Sequence, residues 1–370
     1  MRISEFKSLG RKIVLLASYL LLTVTVIEVT ARALVPVDWL TQRFFGRSET
    51  VWRLAWAQDM QNRTESTMTA LDQHDDALGW RLKPNLDLRY WDDKHFQTNS
   101  FGIRGNKEYS MEPNRVVTRI AMVGDSFTLG EEVGEKETFS YQLQEFWPQT
   151  EVINFGVGGY GIDQVLLQLE STVSQYRPDV VVVGFIRDDM RRSMWRFRHH
   201  SKPLFELDDD LVLTNVPVPD SKAILAREKY KLRSLDILNV IWDEIRWRQG
   251  WFDTEMVKLG DALLTRMLAA IDAMGARAVF VYLPHSEDLA LTYEQFFSTE
   301  EQFFNQQCKE RELSCLNLRG EFQLETSQGY QVRVGGHWFY NGHALAAKHI
   351  KAYLESEGLI DLEVAPEFKQ

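Results

Sequence analysis

From about residue 116 onward, five short apolar runs alternate with stretches long enough for helices, and this alternation limits what the chain can fold into. The strand-like runs are Thr118 to Val123, Glu151 to Phe155, Asp179 to Phe185, Arg277 to Leu283 and Ser314 to Leu318. Thr138 to Trp147, Ile162 to Tyr176, Thr254 to Met274 and Ser298 to Arg311 carry helix-like patterns between them. Strands that alternate with helices build a parallel sheet covered on both faces. The gap between the third and fourth runs exceeds one crossover helix, so residues 190 to 252 are expected as an insertion, at the sheet edge where loops carry function.

The first run ends in Val123-Gly124-Asp125-Ser126-Phe127-Thr128. Gly124 breaks the strand, and a serine follows where the backbone turns. A hydroxyl there faces the edge at which open α/β sheets bind ligands, although a serine in that place also caps a following helix. The second run leads into Gly156-Val157-Gly158-Gly159-Tyr160-Gly161, a loop that permits close backbone approach and presents amides at a helix start. A dinucleotide fingerprint is excluded by order, because no Gly-x-Gly-x-x-Gly follows the first strand. The third run ends in Ile186-Arg187-Asp188-Asp189, and a histidine arrives late in Gly335-Gly336-His337-Trp338. Serine, amide-rich loop, acidic turn and late histidine in that order point to nucleophile, oxyanion donors and general base. His285, also at a strand's carboxyl end, is a second base candidate.

On these residues the chain resembles the SGNH (GDSL-type) hydrolase superfamily, in its membrane-anchored bacterial branch. Gly124-Asp125-Ser126-Phe127 is similar to the first block and Asn154 through Gly161 to the second. Phe185 through Asp189 stands in place of the third, and His337-Trp338 through Gly342-His343 in place of the last. Leu78 through Asn85, Thr98 through Gly105 and Lys202 through Phe205 extend the likeness over residues 78 to 356. The resemblance implies a three-layer α/β/α flavodoxin-like domain with strand order 2-1-3-4-5. It also implies ester chemistry without a cofactor: Ser126 attacks, His337 takes its proton, and the amides of Ser126 and Gly159 hold the oxyanion.

Two positions depart from the family pattern. Asp188 stands where the family supplies an asparagine donor, and a carboxylate repels an oxyanion unless protonated or turned aside. Gly335 stands where the last block carries the acid that orients the histidine. Three readings follow. The chain is an extracytoplasmic serine esterase acting on ester bonds such as O-acyl groups of envelope glycans. It is instead an O-acyltransferase using the same site, or a catalytically impaired polysaccharide-binding scaffold.

Composition narrows the setting. The 370 residues are 44% hydrophobic and 26% charged, which suits a folded globular protein. A formal net charge of -11 opposes nucleic acid as a partner, since phosphate contacts need a basic face. Residues 1–12, with Arg2, Lys7, Arg11 and Lys12, form a basic flank expected in the cytoplasm. Residues 13–35 follow as a single membrane anchor, interrupted by Glu28, which either snorkels or pairs with Arg32. No small-x-small site follows the apolar run, so an uncleaved anchor is expected rather than a cleaved signal peptide.

Residues 36–115 are expected as a stalk and N-terminal extension, with Trp39 at the membrane interface or in a core. Residues 116–360 are then the hydrolase-like domain, on the periplasmic side of the inner membrane. Cys308 and Cys315 are either bridged or two buried thiols, and no ligand spacing for zinc is present. The insertion is rich in basic and aromatic residues, from Arg191 to His200 and from Trp242 to Trp251. It is a wall for a sugar or acidic glycan, or else a membrane-proximal surface or helical subdomain. His199-His200 is expected at the surface.

Overall fold

Val180–Phe185 is buried at all six positions, as its four consecutive valines lead one to expect of a strand covered on both faces. It belongs to a computed structural model that describes residues 3–61, 70–112, 117–289, 297–334 and 336–360. Gly335, Arg2 and the boundary expected at 115–116 lie outside the described residues. The chain divides into two compact units. One comprises Met1–Thr67 and Ser221–Phe252, the other Met68–Asp220 and Asp253–Gln370. The insertion expected over 190–252 is therefore split, with residues 221–252 joining the N-terminal segment.

The helices in chain order begin with α1 (Ile3–Leu34), α2 (Val37–Phe44), α3 (Glu49–Gln61), α4 (Ser126–Leu129), α5 (Phe139–Phe146), α6 (Ile162–Ser171) and α7 (Arg187–Ser193). They continue with α8 (Ser221–Glu228), α9 (Arg233–Arg248), α10 (Trp251–Ala273), α11 (Thr299–Glu310), α12 (Arg319–Ser327) and α13 (Tyr340–Ser356).

In the first unit, α1 carries an exposed apolar stretch, Leu9–Leu34, of 26 residues, long and apolar enough to cross a membrane. Glu28 pairs with Arg32 Nε at 2.7 Å, one of the two arrangements expected for it. It also accepts from the amides of Arg233 at 2.7 Å and Ser234 at 3.1 Å, capping α9. Leu40, Val51, Leu54 and Val240 form a small core among α2, α3 and α9. Arg53 is buried beside it, pairing with Glu228 and, at 2.5 Å, with Asp236.

In the second unit, two hairpins come first, β1 (Asp72–Asp75) with β2 (Gly79–Leu82) and β3 (Asp87–Tyr90) with β4 (Lys94–Gln97). The sheet then begins with β5 (Thr118–Val123), β6 (Thr150–Asn154) and β7 (Val180–Phe185). After a third hairpin, β8 (Leu204–Leu207) with β9 (Leu211–Thr214), it closes with β10 (Arg277–Tyr282) and β11 (Cys315–Asn317). All neighbours in the five-stranded sheet are parallel, in the order β6-β5-β7-β10-β11. Counted along the chain this is 2-1-3-4-5, the expected order, with its reversal at β5. Ile120, Met122, Val182, Val279 and Val281 point into one core with Phe139 and Leu143 of α5 and Leu345 and Ile350 of α13. Cys308 and Cys315 are bridged, with α-carbons 6.1 Å apart. Against the expected surface placement, His200 is buried, its ring 5.7 Å from that of Trp80.

His343 is buried in the first turn of α13, stacked on Phe139 at 5.6 Å. Its Nδ1 accepts from the Phe139 amide at 3.3 Å, which only an unprotonated nitrogen does. Burial pushes its pKa down to about 3, with Arg104 and His337 adding to the effect. The unfolded chain takes up this proton near pH 6.5, so the contribution is complete above that pH and is lost as pH falls toward 3. We expect stability to urea to decline between pH 6.5 and 4 by up to about 1.4 kcal/mol per pH unit from this group. In His343→Asn, less stable at pH 7, that decline should be shallower; an unchanged slope refutes the assignment.

Candidate active site

The site grows from the turn after β5. Gly124 has φ of 154°, and a Cβ there would meet Thr128 Oγ1 at 2.3 Å and the Gly184 carbonyl of β7 at 2.9 Å. Only glycine lets the chain turn this sharply between two strands. Asp125 then caps α4, its Oδ1 accepting from the Phe127 amide at 2.9 Å. Ser126 is the first residue of α4, where an amide has no partner inside the helix.

His337 comes from the opposite end of the chain. It opens β13 (His337–Trp338), which pairs antiparallel with β12 (Arg333–Val334). Trp338 anchors that ribbon, fully buried, with Nε1 donating to the Pro284 carbonyl at 3.0 Å. The ring of Phe127 lies 5.2 Å from both His337 and Trp338. This packing sets His337 Nε2 2.8 Å from Ser126 Oγ. Asp125 Oδ2 also lies 3.3 Å from that hydroxyl, but the shorter partner is the histidine.

An acid does face the other ring nitrogen, and it comes from the loop after α4 and not from the residues before His337. Glu132 Oε1 is 3.3 Å from His337 Nδ1, across 205 residues of chain. Glu132 has φ of 71°, left-handed backbone that a non-glycine residue seldom adopts. With Nδ1–H toward Glu132, Nε2 is left free to accept the serine proton. The neighbouring Glu131 Oε2 lies 3.8 Å from His337 Nε2. Burial raises the Glu131 pKa, with Asp125, Asp72 and Glu132 adding to it and His337 opposing.

The glycine loop is pinned from two sides. The Val157 amide donates to the Gly124 carbonyl at 3.1 Å, joining the loop to the serine turn. Trp80 Nε1 donates to the Gly158 carbonyl at 3.0 Å, and Tyr160 Oη donates to the Trp80 carbonyl at 2.5 Å. Gly159 takes φ of 79° here, with Trp80 Cζ2 3.5 Å from where a Cβ would stand. Asn154 points into the scaffold, donating to the Thr128 carbonyl at 2.9 Å and to Ser140 Oγ at 2.8 Å.

Asp188 brings a carboxylate to the place of the expected oxyanion donor. Its burial works to raise the pKa, but the guanidiniums of Arg192, Arg198 and Arg191 outweigh that and hold it below the usual carboxylate range. An ionised carboxylate accepts hydrogen bonds and donates none. Arg187, one register away, pairs outward with Glu287 at 2.7 Å. His285 has Nδ1 3.2 Å from Ser286 Oγ, and His337 is the histidine that meets the serine.

One cation gathers these loops. Arg192 Nη1 donates to Asp125 Oδ2 at 2.8 Å, Asp189 Oδ1 at 2.9 Å and the Tyr160 carbonyl at 2.9 Å. Asp189 Oδ2 in turn accepts from the Ile186 amide at 2.9 Å. Nearby, Lys202 is wholly buried, paired with Asp163 at the start of α6, and also donates to the Arg192 and Trp195 carbonyls at 3.2 Å. The expected basic wall thus spends charge internally, since Arg191 pairs with Glu300 and Arg196 with Glu206. Among the described residues, no group of three or more His, Cys, Asp or Glu side chains is arranged for a metal ion.

Neither a family model nor a curated protein matches the chain. Solved structures do. A lipolytic protein of the G-D-S-L family from Veillonella parvula is 12% identical with a TM-score of 0.39, over 64% of this chain and 97% of that one. A GDSL-like lipase from Bacteroides thetaiotaomicron is 11% identical with a TM-score of 0.39, over 66% and 91%. A variant acetyl-xylooligosaccharide esterase from Geobacillus is 12% identical with a TM-score of 0.41, over 65% and 96%. At these values the chemistry has to be argued from this chain's own residues.

Arg192→Met leaves Asp125 and Asp189 facing each other without their cation. Removing one partner of such a buried network costs about 3–5 kcal/mol. Urea unfolding should show that loss, whereas Arg196→Met, at an exposed pair, should change stability by less than about 1 kcal/mol. Equal effects from the two substitutions would remove Arg192 from its central place.

Proposed function

We propose that this chain is a serine esterase whose nucleophile is Ser126, general base His337 and orienting acid Glu132. The observation that carries the reading is the line Ser126 Oγ, His337 Nε2, His337 Nδ1 and Glu132 Oε1, joined at 2.8 and 3.3 Å. His337 accepts the serine proton as Oγ attacks the ester carbonyl, then returns it to the departing alcohol. The amides of Ser126 and Gly159 hold the oxyanion of the tetrahedral intermediate. Water completes hydrolysis of the acyl-enzyme. A glycan hydroxyl in its place would make the same site an acyltransferase.

The scaffold reading rests on two departures, Asp188 in place of an oxyanion donor and the lack of an orienting acid at Gly335. Glu132 supplies a carboxylate from another loop, which favours catalysis over silent binding. The setting is extracytoplasmic in this reading. The apolar helix with its basic flank supports an anchor in the inner membrane with the esterase unit in the periplasm. The Cys308–Cys315 bridge supports an oxidising compartment. O-acyl groups on envelope glycans are the proposed esters, and nucleic acid is not a proposed partner.

Full-length protein in detergent should release nitrophenol from short-chain esters and take a fluorophosphonate label on Ser126. Ser126→Ala should abolish the label and lower turnover by about a thousandfold or more. Full activity in that variant would disprove the nucleophile. Glu132→Gln should keep KM and lower kcat by roughly ten- to a hundredfold, less than for a fully buried triad acid, because Glu132 is partly solvated. A Glu132→Gln enzyme with unchanged kcat would leave a serine–histidine dyad as the working site.

A further inference from the structure

We propose that α9 is a second membrane element, lying against lipid beside α1 with Leu235, Leu238, Trp242 and Ile245 in the bilayer. The proposal rests on α1 crossing that bilayer. Its first support is the polarity of α9, which is inverted. The helix turns its acids toward its own unit: Asp236 to Arg53 at 2.5 Å, Asp243 to Ser48 Oγ at 2.6 Å and Glu244 to Arg47 at 3.3 Å. Its large apolar side chains face outward, with Leu235 54%, Leu238 59%, Trp242 54% and Ile245 40% exposed. Spacings of three and four residues place these four on one helix face. Scattered exposed leucines are ordinary, but a continuous apolar stripe opposite a charged, inward face suits a solvent that is not water.

Depth supplies the second support. The residue that caps α9 is Glu28, which lies inside the apolar stretch Leu9–Leu34 and not beyond it. Glu28 stands six positions before Leu34, about 9 Å along the helix axis. The first turn of α9 therefore begins beside the span, and its outward face continues the exposed apolar surface of α1.

In lipid the free amides of a helix start must be satisfied from within the protein. Glu28 does this for Arg233 and Ser234 and takes the Ser234 hydroxyl at 3.0 Å as well. Arg32 balances its charge and donates through Nη2 to the Lys231 carbonyl at 2.9 Å. This gives a physical reason for an acid within an apolar helix, where unpaired charge is costly. At the other end of α9, past Ile245, stand Arg248 in the last turn and Trp251, which is about half exposed and 6.1 Å ring to ring from Trp242. Aromatic and basic groups of this kind suit the headgroup layer.

The test uses the full-length protein in nanodiscs of phosphatidylcholine and phosphatidylglycerol, with a nitroxide on a single introduced cysteine. Power saturation compares access by oxygen, which concentrates in lipid, with access by a water-soluble nickel chelate. Leu238→Cys and Ile245→Cys should both show an oxygen-to-nickel ratio severalfold above that of Gln328→Cys on the second unit, and close to that of Leu21→Cys on α1. Two α9 sites are read so that one poorly folded variant, identified by circular dichroism, does not decide the matter. Nickel access at both sites equal to that at Gln328→Cys, with Leu21→Cys still in lipid, overturns the proposal and leaves the anchor standing. Exclusion of both reagents overturns it in favour of a second copy covering the stripe. Nickel access at Leu21→Cys removes the anchor and the proposal together.

Discussion

The hydrogen bonds of Arg192 tie α7, the helix that carries it, to two loops that follow other strands. Its guanidinium ties the serine turn through Asp125, the glycine loop through the Tyr160 carbonyl and the start of α7 through Asp189. A buried cation facing two carboxylates is favourable only while all three remain in place, because each partner has lost its water. Burial works to lower the Arg192 pKa, yet Asp125, Asp189 and Asp188 overcome it and keep the group charged. Burial raises the Asp189 pKa, with Asp125 adding to it and Arg192 opposing. The geometry of the serine turn is thus an electrostatic balance set several residues from the serine itself.

Much of the sheet was legible because its strands announce themselves. Val180 to Val183 has no other economical place than the centre of a covered sheet, and Gly124 marks where the first strand must turn. The strand order was not legible from alternation, and it followed only from the resemblance. Ser126, Gly159 and His337 stood out because each follows a strand or a glycine break. Glu132 did not. Two adjacent acids after a helix resemble a solvated loop, and nothing in linear order says that one of them meets a residue 205 positions on. Arg192 and Lys202 were hidden for a similar reason. A basic stretch suggests an open surface, while here its charges are consumed by Asp125, Asp189 and Asp163.

The first unit shows where pattern reading is weakest. The tryptophans from 242 to 251 were expected on a ligand wall, at a membrane-proximal surface or inside a subdomain. Trp247 does turn inward, donating to the Arg47 carbonyl at 2.9 Å, while Trp242 and Trp251 are about half exposed. Periodicity identifies an amphipathic helix but does not say which face looks at the protein. That depends on what surrounds the unit, and composition treats both faces alike. The buried ion pairs of Arg53 decide it, since an arginine cannot be enclosed without drawing the acids of α8 and α9 toward it.

Glu132 also changes what the end of the chain is required to supply. In the proposed mechanism, nucleophile and orienting carboxylate lie six positions apart on one continuous segment, from the turn after β5 to the loop beyond α4. The ribbon that delivers His337 supplies the imidazole and the tryptophan that seats it. Two of the three proposed working groups therefore depend on one short block of sequence, and a change that reshapes the turn after β5 displaces both. In that mechanism the approach to the histidine is relieved of supplying an acid.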